Sequence, residues 1–227
     1  MAELMRKELK YVIGIEQYLR MRKKLDLLMK PDSHGVNGSY MVRSQYYDSL
    51  TDADLKDNLD GVQQKRKIRV RVYSPEAAGA RLEYKCKNGT DGIKYSIPLS
   101  KEEVLLLEQH KYDFLLERPE ELAGRLYTKM TQQVYRPKVL IEYDRIAYLY
   151  PVSDVRITFD KNLRAAVNPY GICEEKPFYV PLMEPDRGIL EVKYNDFLPY
   201  ALKPILTELE NVAQAYSKYT VSRLNFI

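Results

Sequence analysis

The stretch KRKIRVRVY, residues 65–73, decides how the rest of the chain is read. In an extended segment alternate side chains point to opposite faces. Lys65, Lys67, Arg69 and Arg71 then share one face, and Ile68, Val70 and Val72 share the other. One side is built to be buried and the other carries four positive charges in a row.

Working outward, the same period of two recurs in KELKYVI (7–13), YMVRSQYYD (40–48), ARLEYKCKN (80–88) and GIKYSIPLS (92–100). It returns in KVLIEYDRIAYLY (138–150), DVRITFDKNLRA (154–165) and GILEVKYND (188–196), so eight strands are expected. Four helices are expected between and after them. IEQYLRMRKKLDLLMK (15–30) stops at Pro31, and SKEEVLLLEQ (100–109) opens with Ser100 and Glu103 as a capping box. PEELAGRLYTKMTQQV (119–134) begins with proline, and LPYALKPILTELENVAQAYSKY (198–219) reads as a long final helix bent at Pro204. The expectation is an α+β, mainly β fold: one domain over 1–227, an eight-stranded antiparallel sheet closed into a barrel, helices packed outside.

Composition narrows the function classes. Hydrophobic residues make up 45% of the chain, enough for a sizeable core, so disorder is not expected. A net charge of +4 is too small for a charge-driven nucleic-acid binder. The placement of charge must therefore carry the argument. Two cysteines, Cys86 and Cys173, have no metal-site spacing. No signal-peptide core or apolar run of membrane-spanning length is seen, so a cytoplasmic protein is expected. The histidines His34 and His110 are given no role.

Glu-x-Lys occurs on three strands, at Glu8–Lys10, Glu83–Lys85 and Glu191–Lys193. Acid and base share a face each time. By itself this fits a sheet with one solvated face. Two features argue for more. Adjacent strands repeat cations on the same face, which is unfavourable unless an anion lies between them. Arginine, whose planar fork suits phosphate oxygens, is frequent there. Rolled into a barrel, that face lines a tunnel suited to a polyanion. Its few carboxylates suit a Mg²⁺ or Mn²⁺ ion that shares oxygens with the same polyanion.

The order RKELKYVI, VRSQYYDS, DNLDGVQQKRKIRVRVY, LEYKCKN, VLIEYDRIAY, DVRITFDKNLRA, LEVKYNDFLP and AYSKY resembles the VTC-type polyphosphate polymerase domain. That domain belongs to the triphosphate tunnel metalloenzyme superfamily, related to the CYTH phosphatases and cyclases. The likeness implies a polymerase that moves the terminal phosphate of a nucleoside triphosphate, ATP, onto inorganic polyphosphate with Mn²⁺ or Mg²⁺. It implies catalytic roles for Lys10, Arg69, Arg71, Arg145, Arg156 and Lys218. Lys85, Lys94 and Ser217 follow as substrate-binding residues, joined by Lys67, Lys87 and Lys193 on the same faces. Glu191 falls on the metal position, with Glu8 and Glu83 as helpers. Any membrane transporter for the product would be a separate chain.

One position strains the alternation. In LIEYDRIAY, Glu142 and Arg145 lie on opposite faces. The resemblance puts Arg145 inside, which brings Tyr143 in and turns Glu142 out as a surface carboxylate. Three rivals stay open: a triphosphatase of the same fold, a polyphosphate-binding module without turnover, and a single-stranded RNA binder. The last would need aromatics among the arginines, whereas Tyr84, Tyr95 and Tyr194 lie opposite the charges.

Overall fold

A computed structural model describes residues 2–4, 7–33, 38–88, 91–167, 171–207, 209, 213–214 and 216–226. Arg6 and His34 lie outside them. The elements in chain order are β1 (Ala2–Leu4), β2 (Lys7–Gly14), α1 (Ile15–Leu28), β3 (Lys30–Pro31), β4 (Ser39–Asp48) and α2 (Ala53–Leu59). There follow β5 (Gln64–Val72), β6 (Gly79–Asn88), β7 (Asp91–Ser100), α3 (Lys101–Glu108), α4 (Glu121–Gln132) and β8 (Arg136–Tyr150). The chain ends with β9 (Val155–Val167), β10 (Val180–Pro181), β11 (Arg187–Tyr194), α5 (Lys203–Thr207) and α6 (Lys218–Leu224). The eight strands expected from alternation are all present, with ends shifted by two residues at most.

All strands join one antiparallel sheet in the order β1-β7-β6-β5-β4-β8-β9-β11-β2. The short β3 extends the edge of β8, and β10 extends that of β9. The two ends of this order, β1 and β2, are separated by only two residues of chain. The N-terminal stretch thus pairs with β7 through residues 2–4 and with β11 through residues 7–14. The sheet is thereby turned round on itself, which makes the inner face a tunnel wall.

The outer face carries the apolar half of each strand. Ile68, Val70, Leu82 and Ile97 pack against Val104 and Leu107 of α3 and Leu126 and Met130 of α4. Ile13, Ile157, Leu190 and Val192 pack against Tyr18, Met21 and Leu25 of α1 and Ile205 of α5. Ser100 caps α3 as its sequence indicated: Glu103 N donates to Ser100 Oγ at 3.2 Å, and Ser100 N to Glu103 Oε2 at 2.8 Å.

Two local expectations fail. The helix expected over 198–219 does not form. A 3₁₀ turn (Tyr200–Leu202) and the five-residue α5 are followed by residues 209, 213, 214, 216 and 217 outside any helix. Pro199 and Pro204 suit only the first turn of a helix. Farther on, Gln214 N donates to Lys10 O of β2 at 2.8 Å, so the backbone is held by the sheet edge. A new helix, α6, then starts behind Ser217, whose Oγ accepts from Thr220 N at 3.1 Å. The helix α2 was not anticipated. Its first amides are held by a strand residue: Asp54 N and Leu55 N each donate to the Asp48 carboxylate at 2.9 Å.

Candidate active site in the tunnel

The tunnel encloses a cavity of about 420 Å³. Among the described residues lining it, eleven are lysine or arginine and two are carboxylates, Glu8 and Glu191. This imbalance is the main chemical fact of the site. It arises because β2, β5, β6 and β11 turn their charged alternate residues inward, as Lys67, Arg69 and Arg71 do on β5, and because β8 adds Arg145 and α6 adds Lys218.

Two carboxylates behind the wall hold arginines in place. The β5–β6 register sets Glu83 opposite Arg69. Glu83 Oε2 accepts from Arg69 Nε at 2.6 Å and lies 4.0 Å from Arg71 Nη1. Burial pushes the Glu83 carboxyl up, but Arg69 and Arg71 outweigh it and hold the group well below the usual range. Arg69 Nη1 also donates to Tyr46 OH at 2.9 Å, and Arg71 Nε to Ser44 Oγ at 3.1 Å.

Deeper in, Asp160 is fully buried. It accepts from Arg145 Nε and Nη2 at 2.7 and 2.8 Å and lies 2.7 Å from Lys218 Nζ. Burial opposes its ionisation, yet Arg145 and Lys218 bring its pKa below the ordinary value. The same carboxylate keeps the Lys218 ammonium protonated against burial. Tyr143 ties the group together. Its OH accepts from Arg71 Nη2 and Arg145 Nη2, both at 3.3 Å, and its ring centroid lies 4.8 Å from Lys218 Nζ. Beyond this layer the interior is apolar, filled by Val42, Ile141, Leu163 and Ile189.

The third layer holds Glu8, Lys10, Glu191 and Lys193. Glu191 Oε1 is 3.0 Å from Lys193 Nζ, and its Oε2 is 3.6 Å from Arg145 Nη2. Glu8 Oε1 is 3.0 Å from Lys10 Nζ. Burial raises the Glu191 pKa, but Lys193, a hydrogen bond with Glu8 and the charge of Lys10 leave it well below the carboxylate range. Lysines suffer the reverse. Burial, then Arg69 and Lys193, push Lys85 well below its ordinary value. Burial, with Lys10, Arg69 and Lys65, lowers Lys67 to about 8, although Tyr46 acts the other way. Lys67 Nζ donates to Ser217 Oγ at 2.9 Å, which ties the start of α6 to β5.

Most residues singled out from the sequence meet here: Lys10, Lys67, Arg69, Arg71, Lys85, Lys87, Arg145, Lys193, Ser217 and Lys218 line the cavity, with Glu8 and Glu191. Three do not. Lys94 stands directly opposite Lys85, and Arg156 opposite Lys193, yet neither lines the cavity. Arg156 Nη2 instead donates to Asp32 Oδ2 and Tyr40 OH, each at 2.9 Å. Glu83, expected to help hold metal, is the counter-ion of Arg69, because the register places it there.

Arg145 and Tyr143 do face inward. The β8–β9 pairing has a bulge whose extra residue sits on β9, where Asn162 takes a positive φ of 52°, so the alternation of β8 from Val139 to Arg145 is undisturbed. Glu142 therefore faces out, but it is buried and not a surface carboxylate. It binds Arg43 Nε at 2.5 Å, Arg164, and Tyr179 OH at 2.9 Å.

Sequence reasoning assigned no role to Asp160 or Tyr46. Alternation already put Asp160 on the tunnel face with Arg156 and Thr158, and that was its only signal. Tyr84 and Tyr95 stack on the outer face as expected, but Tyr46 and Tyr143 bring aromatic rings inside.

The donor set can accept a divalent cation. Glu191 and Glu8 both line the cavity and flank Lys193, whose Nζ lies 3.0 Å from Glu191 Oε1 and 3.9 Å from Glu8 Oε1. No cluster of three or more His, Cys, Asp or Glu able to hold a metal occurs among the described residues. Two carboxylates with phosphate oxygens and water are how Mg²⁺ is commonly held beside a nucleotide.

An inward-charged antiparallel tunnel with helices outside is the triphosphate tunnel fold. The chain belongs to the VTC domain family, whose profile matches residues 5–226. The structure is similar to that of a candidate adenylate cyclase from Bacillus halodurans, with a TM-score of 0.58, 14% identity, and 95% and 96% of the two chains covered. It is also similar to a candidate adenylyl cyclase from Hippeastrum described as having a dominant triphosphatase activity, with a TM-score of 0.60, 12% identity, and 97% and 96% covered. At these identities the likeness is one of fold. No curated protein sequence matches the chain. No helix among the described residues is long and apolar enough to cross a membrane.

Proposed function

We propose that this chain is a divalent-metal-dependent polyphosphate polymerase, transferring the terminal phosphate of ATP to a growing polyphosphate chain inside the tunnel. The observation that carries this reading is the cavity wall, with eleven cations against two carboxylates that lie side by side. Such an excess of like charge is unfavourable in a buried space, and burial first, then neighbouring cations, lowers the Lys67 and Lys85 pKa values. A polyanion offsets it. Membership of the VTC domain family supports polyphosphate as that polyanion.

Phosphoryl transfer needs alignment and charge neutralisation more than covalent help. Arg69, Arg71 and Arg145 are held by Glu83, Ser44, Tyr143 and Asp160, so their forks are in place before a phosphate arrives. Lys10, Lys85, Lys193 and Lys218 add charge around them. Arg156 and Lys94, one strand beyond Lys193 and Lys85, would extend the positive track for a longer chain. Glu191 and Glu8 would hold Mn²⁺ or Mg²⁺, which supplies charge neutralisation of the phosphate oxygens when bound. The acceptor phosphate is already anionic, so a strong general base is not required.

A second reading, an inorganic triphosphatase, is favoured by one observation. The Hippeastrum protein of similar fold is described as having a dominant triphosphatase activity, and hydrolysis needs only that water take the place of the acceptor phosphate. Product analysis with ATP and with tripolyphosphate separates the two. If chelator has no effect because nothing turns over, only a binding module is left.

Lys67 gives a pH test. With its pKa lowered to about 8, its charge is largely present at pH 7 and largely lost by pH 9. Tripolyphosphate affinity in chelator should therefore fall between pH 7 and pH 9. Lys67→Arg stays charged across that window and should show a flatter profile. Identical slopes for the two proteins, measured by calorimetry, would remove Lys67 from the binding site.

A further inference from the structure

On β9, Arg156, Thr158 and Asp160 share the inward face of the strand, just behind the residues that line the cavity. Asp160 is saturated by Arg145 and Lys218. Thr158 is not. Its side chain is 4% exposed and lies directly across from Glu191 on β11 and from Ala147 on β8. Its Oγ1 is buried with no hydrogen-bond partner among the described residues. Arg156 Nε, two residues earlier on the same face, is also buried without one.

A buried hydroxyl left unpaired is unfavourable, and valine has the same shape without that penalty. The unpaired Thr158 hydroxyl therefore points to a partner that is not a side chain. Its surroundings say what kind. Ala147 offers nothing polar. Both oxygens of Glu191 already face cations, Lys193 at 3.0 Å and Arg145 at 3.6 Å. A hydroxyl beside such a carboxylate can accept a hydrogen bond, which the neighbouring lysines and arginines cannot. Water bound to a cation is a strong donor and needs such an acceptor.

We propose that Thr158 is a positioning residue for the metal. Its Oγ1 accepts a hydrogen bond from a water molecule carried by the cation that Glu191 holds, fixing that water and the orientation of the cation. The inference rests on the reading of Glu191 as a metal ligand, so its test must separate the two. Mn²⁺ is titrated into the full chain without nucleotide, and free Mn²⁺ is followed by its electron paramagnetic resonance signal. Thr158→Val should weaken Mn²⁺ binding about 10- to 100-fold, the range for outer-shell partners of a metal, while Thr158→Ser, which restores the hydroxyl, should stay within about twofold of wild type. Tripolyphosphate binding in chelator should be unchanged in both. Melting in chelator checks that Thr158→Val folds, and Thr158→Ala serves as the second hydroxyl-free variant. If Glu191→Gln weakens Mn²⁺ but neither hydroxyl-free variant does, the role of Thr158 is overturned and the metal reading stands. If wild type binds no Mn²⁺, or Glu191→Gln binds it equally well, both fall.

Discussion

Glu191→Gln is expected to remove Mn²⁺-dependent consumption of ATP, lowering kcat by at least about 100-fold, because it takes away the principal metal carboxylate. Binding of polyphosphate in chelator should survive in the same variant. The sign follows from the charges around the residue. Glu191 lies 3.0 Å from Lys193 and 3.6 Å from Arg145, and its carboxyl is held well below the usual carboxylate range. It is therefore an anion in a cationic wall, and glutamine raises the positive charge of the cavity by one. A polyanion should bind the variant as well as wild type or better. A residue needed merely for folding would lose both properties together, and full turnover in the variant would reject the metal role. Calorimetry in chelator and a coupled ATP assay on one preparation decide it.

Asp160→Asn should destabilise the unliganded protein by about 3–5 kcal/mol, the scale for removing one partner of a buried ion pair. Asp160 is fully buried and is the shared counter-ion of Arg145 and Lys218. Asparagine leaves two buried cations, with the ring and hydroxyl of Tyr143 between them. A phosphate chain can supply the missing negative charge. The rise in Tm on adding tripolyphosphate should thus be larger in the variant than in wild type. An equal shift in the two would mean that the ligand does not reach this layer. An unchanged Tm without ligand would mean that the triad is not structural.

How far the sequence could be read follows from the kind of signal each feature leaves. A strand with one apolar and one charged face repeats every two residues. KRKIRVRVY shows this plainly, and all eight long strands carry the pattern. The cationic wall is legible for the same reason, since Lys67, Arg69 and Arg71 must share a face if the segment is extended. Which carboxylate serves which cation is set by strand register, and no local pattern records it. Glu83 and Glu191 each open a Glu-x-Lys triplet, yet one pairs with Arg69 of β5 while the other lines the cavity with Glu8. Asp160 looked like any polar strand residue until the fold brought Lys218 to it. The C-terminal segment misled because its residues favour helix locally, while Pro199, Pro204 and the bond from Gln214 to Lys10 O settle it otherwise. The bulge on β9 shows the converse. It left the alternation of β8 intact from Val139 to Arg145, so the inward position that the resemblance gave Arg145 holds, though alternation alone did not choose between Glu142 and Arg145.

Chain growth is the most direct measurement of the central claim. The purified protein is incubated with ATP and Mn²⁺, and the products are resolved by gel and phosphorus NMR. The account predicts ADP together with a ladder of polyphosphate, both absent in chelator and in Glu191→Gln. Orthophosphate released from ATP or tripolyphosphate with no ladder would contradict it.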